Sequence, residues 1–460
     1  MNIRNTFSNL NHHPKSILSD LKSSKGLPFQ DVLSKETIAE SMQDLKYRER
    51  FFTPDIILWT FLSQVIGDDH SLQAAVARVI VFSTMQGLDS PSANTSAYSQ
   101  ARSNLPEEVI SNLVKGSAEE MRVSIPSNLL WKEQYHPILM DGSTISMPDT
   151  PKNQAIYPQP DSQKPGLGFP IARIVAVISY ITGMVLDVAI GPYSGKMTGE
   201  HALLRQLMHV FKPGDIAMGD CYYPSYFVLA MLLKLNIDFV FPMHSNRKHD
   251  FKTGENIGDK DHIVSWDKPS KPEWMDQKEY DEVQDKITVR EVEIQNNKNG
   301  FRTKTRVLLT TFLDPAFASK QDLAILYNFR WCVELDLRSL KETMRMDILR
   351  GKSPEMVRKE MWAHFLAYNL IRKVMVQAAI VHNKNPRNLS FKLALQMIEA
   401  FRIAGIFHEE NSDAYARLLK AIVYKTVGNR PGRQEPRRVK RRAKAFPKLQ
   451  KARILYKGEA

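Results

Sequence analysis

Cysteine is nearly absent. Cys221 and Cys332 are the only two among 460 residues, which excludes a disulfide framework and a four-thiolate zinc site. Long hydrophobic runs are missing as well. No charge-free apolar stretch exceeds the thirteen residues from Ile174 to Leu186, short of the ~20 that a membrane-spanning helix needs. The first thirty residues mix Asn, His, Lys, Ser and Asp without an apolar stretch, so no secretion signal is expected. These absences together predict a cytoplasmic, reduced protein with no membrane partner. Apolar residues make up 43% of the chain, enough for a sizeable core, which excludes wholesale disorder.

Acidic residues are scarce in one place. The net charge is +13, and the segment from Arg430 to Lys457 carries twelve basic residues against the single acid Glu435. That tail contributes +11 and leaves only +2 for the rest of the chain. A near-neutral body with a basic end suits a polyanionic partner, of which nucleic acid is the commonest large one in the cytoplasm. Basic tails are also often merely solvated, so the charge alone does not decide.

The pattern along the chain changes at about residue 130. Before it, the sequence reads as helical: Thr53-Pro54-Asp55 opens a run, Ser71 to Phe82 has apolar residues at helical spacing, and Pro106 to Met121 is a further helix. After Pro137, strands appear. Ile138 to Met140 leads into Asp141-Gly142-Ser143; Ile171 to Ile181 and Met184 to Ile190 are β-branched runs joined at Thr182-Gly183. A helix over His201 to Val210, a short strand from Ile216 to Gly219 ending at Asp220, a helix over Tyr226 to Leu235 and a strand from Ile237 to Phe241 follow. Strands alternating with helices after an opening hairpin predict a mixed α/β sheet. Residues 244–306, with 13 basic and 13 acidic side chains, read as an inserted, partly β, mobile unit. One long helix is expected from Ser319 to Met346, then further helices to about Val427.

That long helix is the most informative segment. At about 100° per residue, Tyr327, Arg330, Arg338, Lys341 and Arg345 fall within about 40° of Glu334. Leu326, Phe329, Val333, Leu337, Leu340 and Met344 gather on a separate face. One face is core; beside it runs a lone carboxylate among cations and a tyrosine. A solvated stripe of i, i+4 ion pairs is the plain reading. Two further acids at strand ends, Asp141 and Asp220, favour another, because ligand chemistry in α/β sheets gathers there. Three carboxylates meeting in one pocket would repel by several kcal/mol unless divalent cations sat between them. An all-oxygen site favours Mg²⁺ or Mn²⁺, and two such ions suit phosphoryl transfer.

Tyr327-x2-Arg330-x3-Glu334-x6-Lys341 resembles the Tyr-Arg-Glu-Lys signature of insertion-sequence-4 type transposases of the Asp-Asp-Glu group. Asp141 in Leu-Met-Asp-Gly-Ser is similar to that family's first aspartate, and Asp220 in Met-Gly-Asp-Cys-Tyr-Tyr to its second. The resemblance implies an RNase-H-like mixed-sheet α/β catalytic core with an inserted β-rich subdomain, a helical N-terminal domain and a helical C-terminal region. It divides the chain into 1–130 (DNA-binding helices), 131–243 (first part of the core), 244–306 (insertion), 307–375 (second part of the core), 376–429 (C-terminal helices) and 430–460 (tail). It further implies cleavage of transposon ends with Mg²⁺ or Mn²⁺, two ions held by Asp141, Asp220 and Glu334, then joining of the freed 3′-hydroxyl to target double-stranded DNA by a homodimer. Tyr327, Arg330 and Lys341 would contact the DNA backbone, and the helical projection adds Arg338 and Arg345. In relatives the insertion can supply an aromatic that stacks on a flipped base; Trp266 and Trp274 are the candidates, unless they pack on the insertion's own core. Arg437, Arg438, Lys440, Arg441 and Arg442 of the tail are candidate phosphate contacts, and end recognition is expected among the N-terminal helices, around Tyr98 to Arg102.

Other signals carry less. Gly191 to Thr198 nearly matches a phosphate-binding loop but has the wrong spacing, so no nucleotide cofactor is expected. Ser143 has no identifiable partner base. Glu200 is either an auxiliary acid or a helix-start residue, and Asp215, after Pro213-Gly214, reads as a turn residue. A DNA-binding regulator without catalysis and a metal-dependent nuclease on the same fold are the alternative functions.

Overall fold

The computed structural model describes residues 35–42, 51–85, 90–295, 305–403 and 414–427. Helices come first: α1 (Lys35–Met42), α2 (Pro54–Ile66), α3 (Leu72–Met85), α4 (Ser96–Asn104) and α5 (Glu107–Val123). Then follow β1 (His136–Ser146), α6 (Pro151–Ile156), β2 (Ile171–Ser179), β3 (Val185–Pro192), α7 (Glu200–Gln206), β4 (Asp215–Met218), α8 (Tyr226–Lys234) and β5 (Asp238–Pro242). The expected insertion contributes β6 (Glu255–Gly258), β7 (Asp261–Asp267), α9 (Gln277–Glu282) and β8 (Lys286–Gln295), and β9 (Thr305–Thr310) straddles its end at residue 306. The chain ends in α10 (Lys320–Asn328), α11 (Trp331–Arg338), a π-helical turn (Ser339–Thr343), α12 (Pro354–Val381), α13 (Phe391–Ile403) and α14 (Ala414–Ile422).

These elements form two compact units. The sheet unit takes Pro126–Ser146 and Gln154–Leu337; among the described residues, the helical unit takes the chain up to Ile125, Met147–Asn153 and everything from Arg338 onward. The N-terminal and C-terminal helices, expected as separate regions, thus share one core. Its centre is α12, buried around most of its circumference, which suits a helix enclosed by others. Arg358 pairs with Glu107 at 2.7 Å and Lys373 with Glu120 at 2.8 Å, tying α12 to α5. No helix among the described residues is long and apolar enough to cross a membrane.

One sheet of nine strands runs in the order β3-β2-β1-β4-β5-β9-β8-β7-β6. β1 pairs antiparallel with β2 and parallel with β4, and β4 pairs parallel with β5. Val, Ile and Ala dominate β2 and β3, strands buried along most of their length, as expected for a sheet covered on both faces. Gly183, at φ 72°, supplies the left-handed residue of their connecting turn. Strands β6 to β9 continue this sheet through the β5–β9 pairing, so the expected β-rich insertion is hydrogen-bonded onto the sheet of the core. Alternating apolar residues could predict the strands; only the partner at the β5 edge fixes where they attach.

Candidate active site

β1 does not stop at Asp141, as expected; it runs on to Ser146, because β2 keeps pairing with it over Ile138–Ser146. What ends near Asp141 is β4. Its last pair with β1 is Leu139 with Met218. Two residues further along each chain come Asp141, still within β1, and Asp220, just past the end of β4. Gly219 is closely packed: a Cβ there would come within 2.8 Å of the Tyr223 ring and 2.9 Å of Met140. Asp215, expected in a turn, is the buried first residue of β4, at the end away from Asp220.

Each acid is turned by its own main chain. Asp141 accepts from the Gly142 N–H at 2.9 Å, and Asp220 accepts from the Tyr222 N–H at 2.8 Å. Burial raises the Asp141 carboxyl to about 7; the Gly142 hydrogen bond opposes this, Asp220 and Glu334 add to it, and Arg330 pulls back. The Asp141 carboxyl therefore feels the charges of both Asp220 and Glu334.

The expected single helix from Ser319 to Met346 is instead α10, a break at Phe329–Arg330, α11 and the π-helical turn. A capping box between Ser319 and Asp322 starts α10. The Phe329 ring stacks on Tyr180 at 4.2 Å and anchors the break. Glu334 sits in the first turn of α11, where Arg330 donates to its Oε1 at 2.7 Å. Burial would weaken Arg330's hold on its proton, but Tyr327, Glu334 and Asp141 outweigh that and raise its pKa. Tyr327 is buried, and its hydroxyl accepts from Arg306 at 3.2 Å. Burial raises its pKa despite Arg330 and Arg306.

The rest of the expected stripe does not continue as projected. The π-helical turn inserts an extra residue per turn, with the Met344 N–H bonded to Ser339. Arg345 lies beyond it at φ 56° and donates to the Asp68 carbonyl at 2.9 Å, off any helix face. Arg338 is exposed at the end of α11, and Lys341 lies in the π-helical turn; both belong to the helical unit. Trp266 is a correction: only 6% exposed, it donates Nε1–H to Glu291 at 2.9 Å and carries the Arg247 guanidinium 3.4 Å above its ring. That commits it to the sheet's own packing. Trp274 is half-buried, edge-on to Phe227 at 5.9 Å, with Arg205 3.8 Å over its ring. Around Tyr98 to Arg102 the polar ends turn inward: the Tyr98 hydroxyl and Arg102 both donate to Gln64 Oε1, at 2.9 and 3.0 Å. Arg437, Arg438, Lys440, Arg441 and Arg442 lie outside the described residues.

The sequence understated one neighbourhood. Glu200, at the start of α7, accepts from the Tyr223 hydroxyl at 3.1 Å, and His201 Nε2 donates to the Tyr222 carbonyl at 2.7 Å. Burial lowers the His201 pKa and, with Glu200 and Asp141, raises that of Tyr223. The one available signal was a glycine directly after Asp141 within a strand, which marks a close approach.

A core in the order β3-β2-β1-β4-β5 with β2 antiparallel, one acid on β1, a second just past the end of β4 and a third on a later helix, defines the RNase-H-like class of polynucleotide-processing folds. Comparison with known proteins narrows this. The sequence profile of the transposase DDE domain matches residues 132–370. The transposase InsG for insertion sequence element IS4 of Escherichia coli K12 is 24% identical over 388 residues, 80% of this chain and 81% of that protein. The transposase for insertion sequence element IS421 of Escherichia coli is 36% identical over 69 residues, covering 15% of this chain and 19% of that one. A cryo-EM structure of the piggyBac transposase synaptic complex with hairpin DNA covers 90% of this chain and 83% of its own, at 12% identity and a TM-score of 0.39. The chain belongs to the DDE transposase family. It is a DNA-cutting and DNA-joining enzyme, of a family that generally uses divalent metal.

Proposed function

We propose that Asp141, Asp220 and Glu334 are the catalytic acids and hold two divalent ions, Mg²⁺ or Mn²⁺, for cleavage at transposon ends and joining to target DNA. The observation that carries this reading is that Asp141 and Asp220 each lie two residues beyond the last β1–β4 pair, Leu139 with Met218, with the charges of Asp220 and Glu334 both acting on the Asp141 carboxyl. The donors are all carboxylate oxygens, the chemistry that hard cations take. Among the described residues, no three His, Cys, Asp or Glu side chains are gathered tightly enough to enclose an ion as they stand. Glu334 is engaged by Arg330 instead, a cation covering part of the acidic charge that acts on Asp141. When bound, the ions would neutralise that charge and polarise the scissile phosphate.

The chain's own side chains have complementary tasks. Arg330, kept at the acids by Glu334, presents a guanidinium suited to phosphate oxygens. Tyr327, kept protonated by burial and positioned by Arg306, offers a hydroxyl beside it. Lys341 and Arg338 are further backbone contacts in this reading, and the tail adds sequence-independent ones. Cleavage frees a 3′-hydroxyl, which then attacks a target phosphodiester; each step exchanges one P–O bond for another, so no nucleotide is consumed. A homodimer would pair the two ends.

The test is a labelled DNA end incubated with Mg²⁺. Cleavage followed by joining is expected, chelation should stop both, and added metal should restore them. Nicking without joining points to a nuclease, and binding without cutting to a regulator. Truncation at Asn429 should flatten the salt dependence of DNA binding, by about one unit of slope per lost phosphate contact.

A further inference from the structure

Arg306 is the second residue of β9, and the pairing of that strand with β5 stops at Leu308 with Pro242. The first residues of β9 therefore extend beyond the end of β5. That strand runs parallel to β4, with Val240 opposite Met218. Arg306 thus lies at the same edge of the sheet as Asp220, and its side chain is half-buried there.

Among the described residues, no carboxylate forms an ion pair with Arg306. On β8 it stands opposite Ile294, so the nearby acid Glu293, opposite Val307, faces the other side of the sheet and is paired with Lys260. Arg306 instead donates from Nη1 to the Tyr327 hydroxyl at 3.2 Å, with its guanidinium carbon 5.9 Å from the ring centre. Arg290 on β8 shows how this sheet uses an arginine for folding: Nε and Nη2 go to Asp261 and Nη1 to two carbonyls. Arg306 has no such set, and most of its N–H fork is left for another acceptor.

Tyr327 supplies a second observation. Its buried hydroxyl accepts from Arg306 and so keeps its own proton to donate. Arg330 bonds its N–H to the Tyr327 carbonyl at 3.0 Å, and both guanidinium groups act on the phenol. Glu334 matches the charge of Arg330; Arg306 carries its charge beside a neutral ring. A planar cation and a hydroxyl proton side by side suit an anion with several oxygen acceptors, as a phosphodiester is.

We propose that Arg306 is a phosphate-binding residue of the active site, which together with the Tyr327 hydroxyl takes a DNA backbone phosphate flanking the scissile one. This rests on the reading above that Tyr327 and Arg330 meet the DNA backbone. It adds a residue from β9, outside the Tyr-Arg-Glu-Lys spacing.

The experiment measures binding of a labelled transposon end by the full-length protein without divalent metal, over a range of salt. End cleavage in Mg²⁺ and melting temperature are measured alongside. Arg306→Met, which keeps the stem, should weaken binding about 10-fold and lower the salt slope by about one unit. Cleavage should suffer chiefly through KM, at a parent-like melting temperature. Arg306→Lys should restore the slope and only part of the affinity, since a point charge remains and the fork is lost; it is also the variant to read if the Met variant fails to fold. Tyr327→Phe should keep the parent slope, and Arg306→Met should weaken binding further in that background. Parent-like affinity and slope in Arg306→Met, beside an Arg330→Met variant that is impaired, would overturn this proposal alone. So would a loss that vanishes in the Tyr327→Phe background, which would leave Arg306 as a support for the phenol. Parent-like binding and cleavage in Arg306→Met, Tyr327→Phe and Arg330→Met alike would bring down the underlying reading of the backbone contacts.

Discussion

The two halves of the nine-stranded sheet treat their acids in opposite ways. Across β7 and β8 every acid in the interior has a partner. Asp261 receives Arg290 through Nε at 2.8 Å and Nη2 at 2.7 Å, while the Nη1 of the same arginine binds the Phe312 and Ala318 carbonyls. Glu291 accepts from both Trp266 and His262. Around the ends of β1 and β4, Asp141 and Asp220 have backbone N–H groups as their donors, Glu200 has the Tyr223 hydroxyl, and Arg330 donates to Glu334. Paired acids hold a fold together; acids that face acids store a demand for cations. The first group is matched by partners within the fold, whereas the second suits the cations of the proposed reaction.

The sharpest way to break this contrast is to neutralise each half. Asp141→Asn, Asp220→Asn or Glu334→Gln should cut end cleavage on the order of 10³-fold or more without lowering the melting temperature. If stability fell in step with activity, these acids would be structural after all. Arg290→Met should do the reverse: it strands a buried Asp261 and should cost about 3–5 kcal/mol in urea unfolding, part of it regained on adding Asp261→Asn.

A third solution appears in the helical unit, where two buried histidines are kept neutral. Burial is the main cause for both, lowering His70 to about 4, with help from Arg350, Arg345 and Arg78, and His364 to about 3, with help from His70. Unfolded, each titrates near 6.5. Between those limits the unfolded chain binds more protons, so this stability is complete above pH ~6.5 and lost as the pH falls toward 4 and below. From pH 7 to 5 the loss should be on the order of 2 kcal/mol per histidine, visible in thermal melts; His364→Gln should flatten the profile. The smallest effect sharpens the comparison within the sheet. Trp266→Phe removes one donor from Glu291 and should cost about 1 kcal/mol with DNA affinity unchanged. Lost affinity at parent stability would return the tryptophan to base stacking.

Much of the fold was legible because it is local. The β2–β3 hairpin, the short β4 strand and α8 follow from runs of apolar residues and their turns. The long helix was misread where local pattern gives no warning. Nothing in Asn328-Phe329-Arg330 forbids a helix, and the break coincides with Phe329 meeting Tyr180, a ring some 150 positions earlier. Past the π-helical turn the projection lost its phase, and Arg345 left the stripe. The tryptophans show the same limit, since composition cannot say that Glu291 waits beside Trp266.

By itself the sequence determined the kind of protein: a Tyr-Arg-Glu-Lys spacing within twenty residues, two aspartates each led by an apolar strand, and a basic tail are properties of short stretches that any fold must carry. Tertiary structure alone decided which acids meet, which are matched by cations and which aromatic rings are spent on packing. Burial and electrostatic field depend on neighbours brought from far along the chain, and a one-dimensional pattern does not contain those distances.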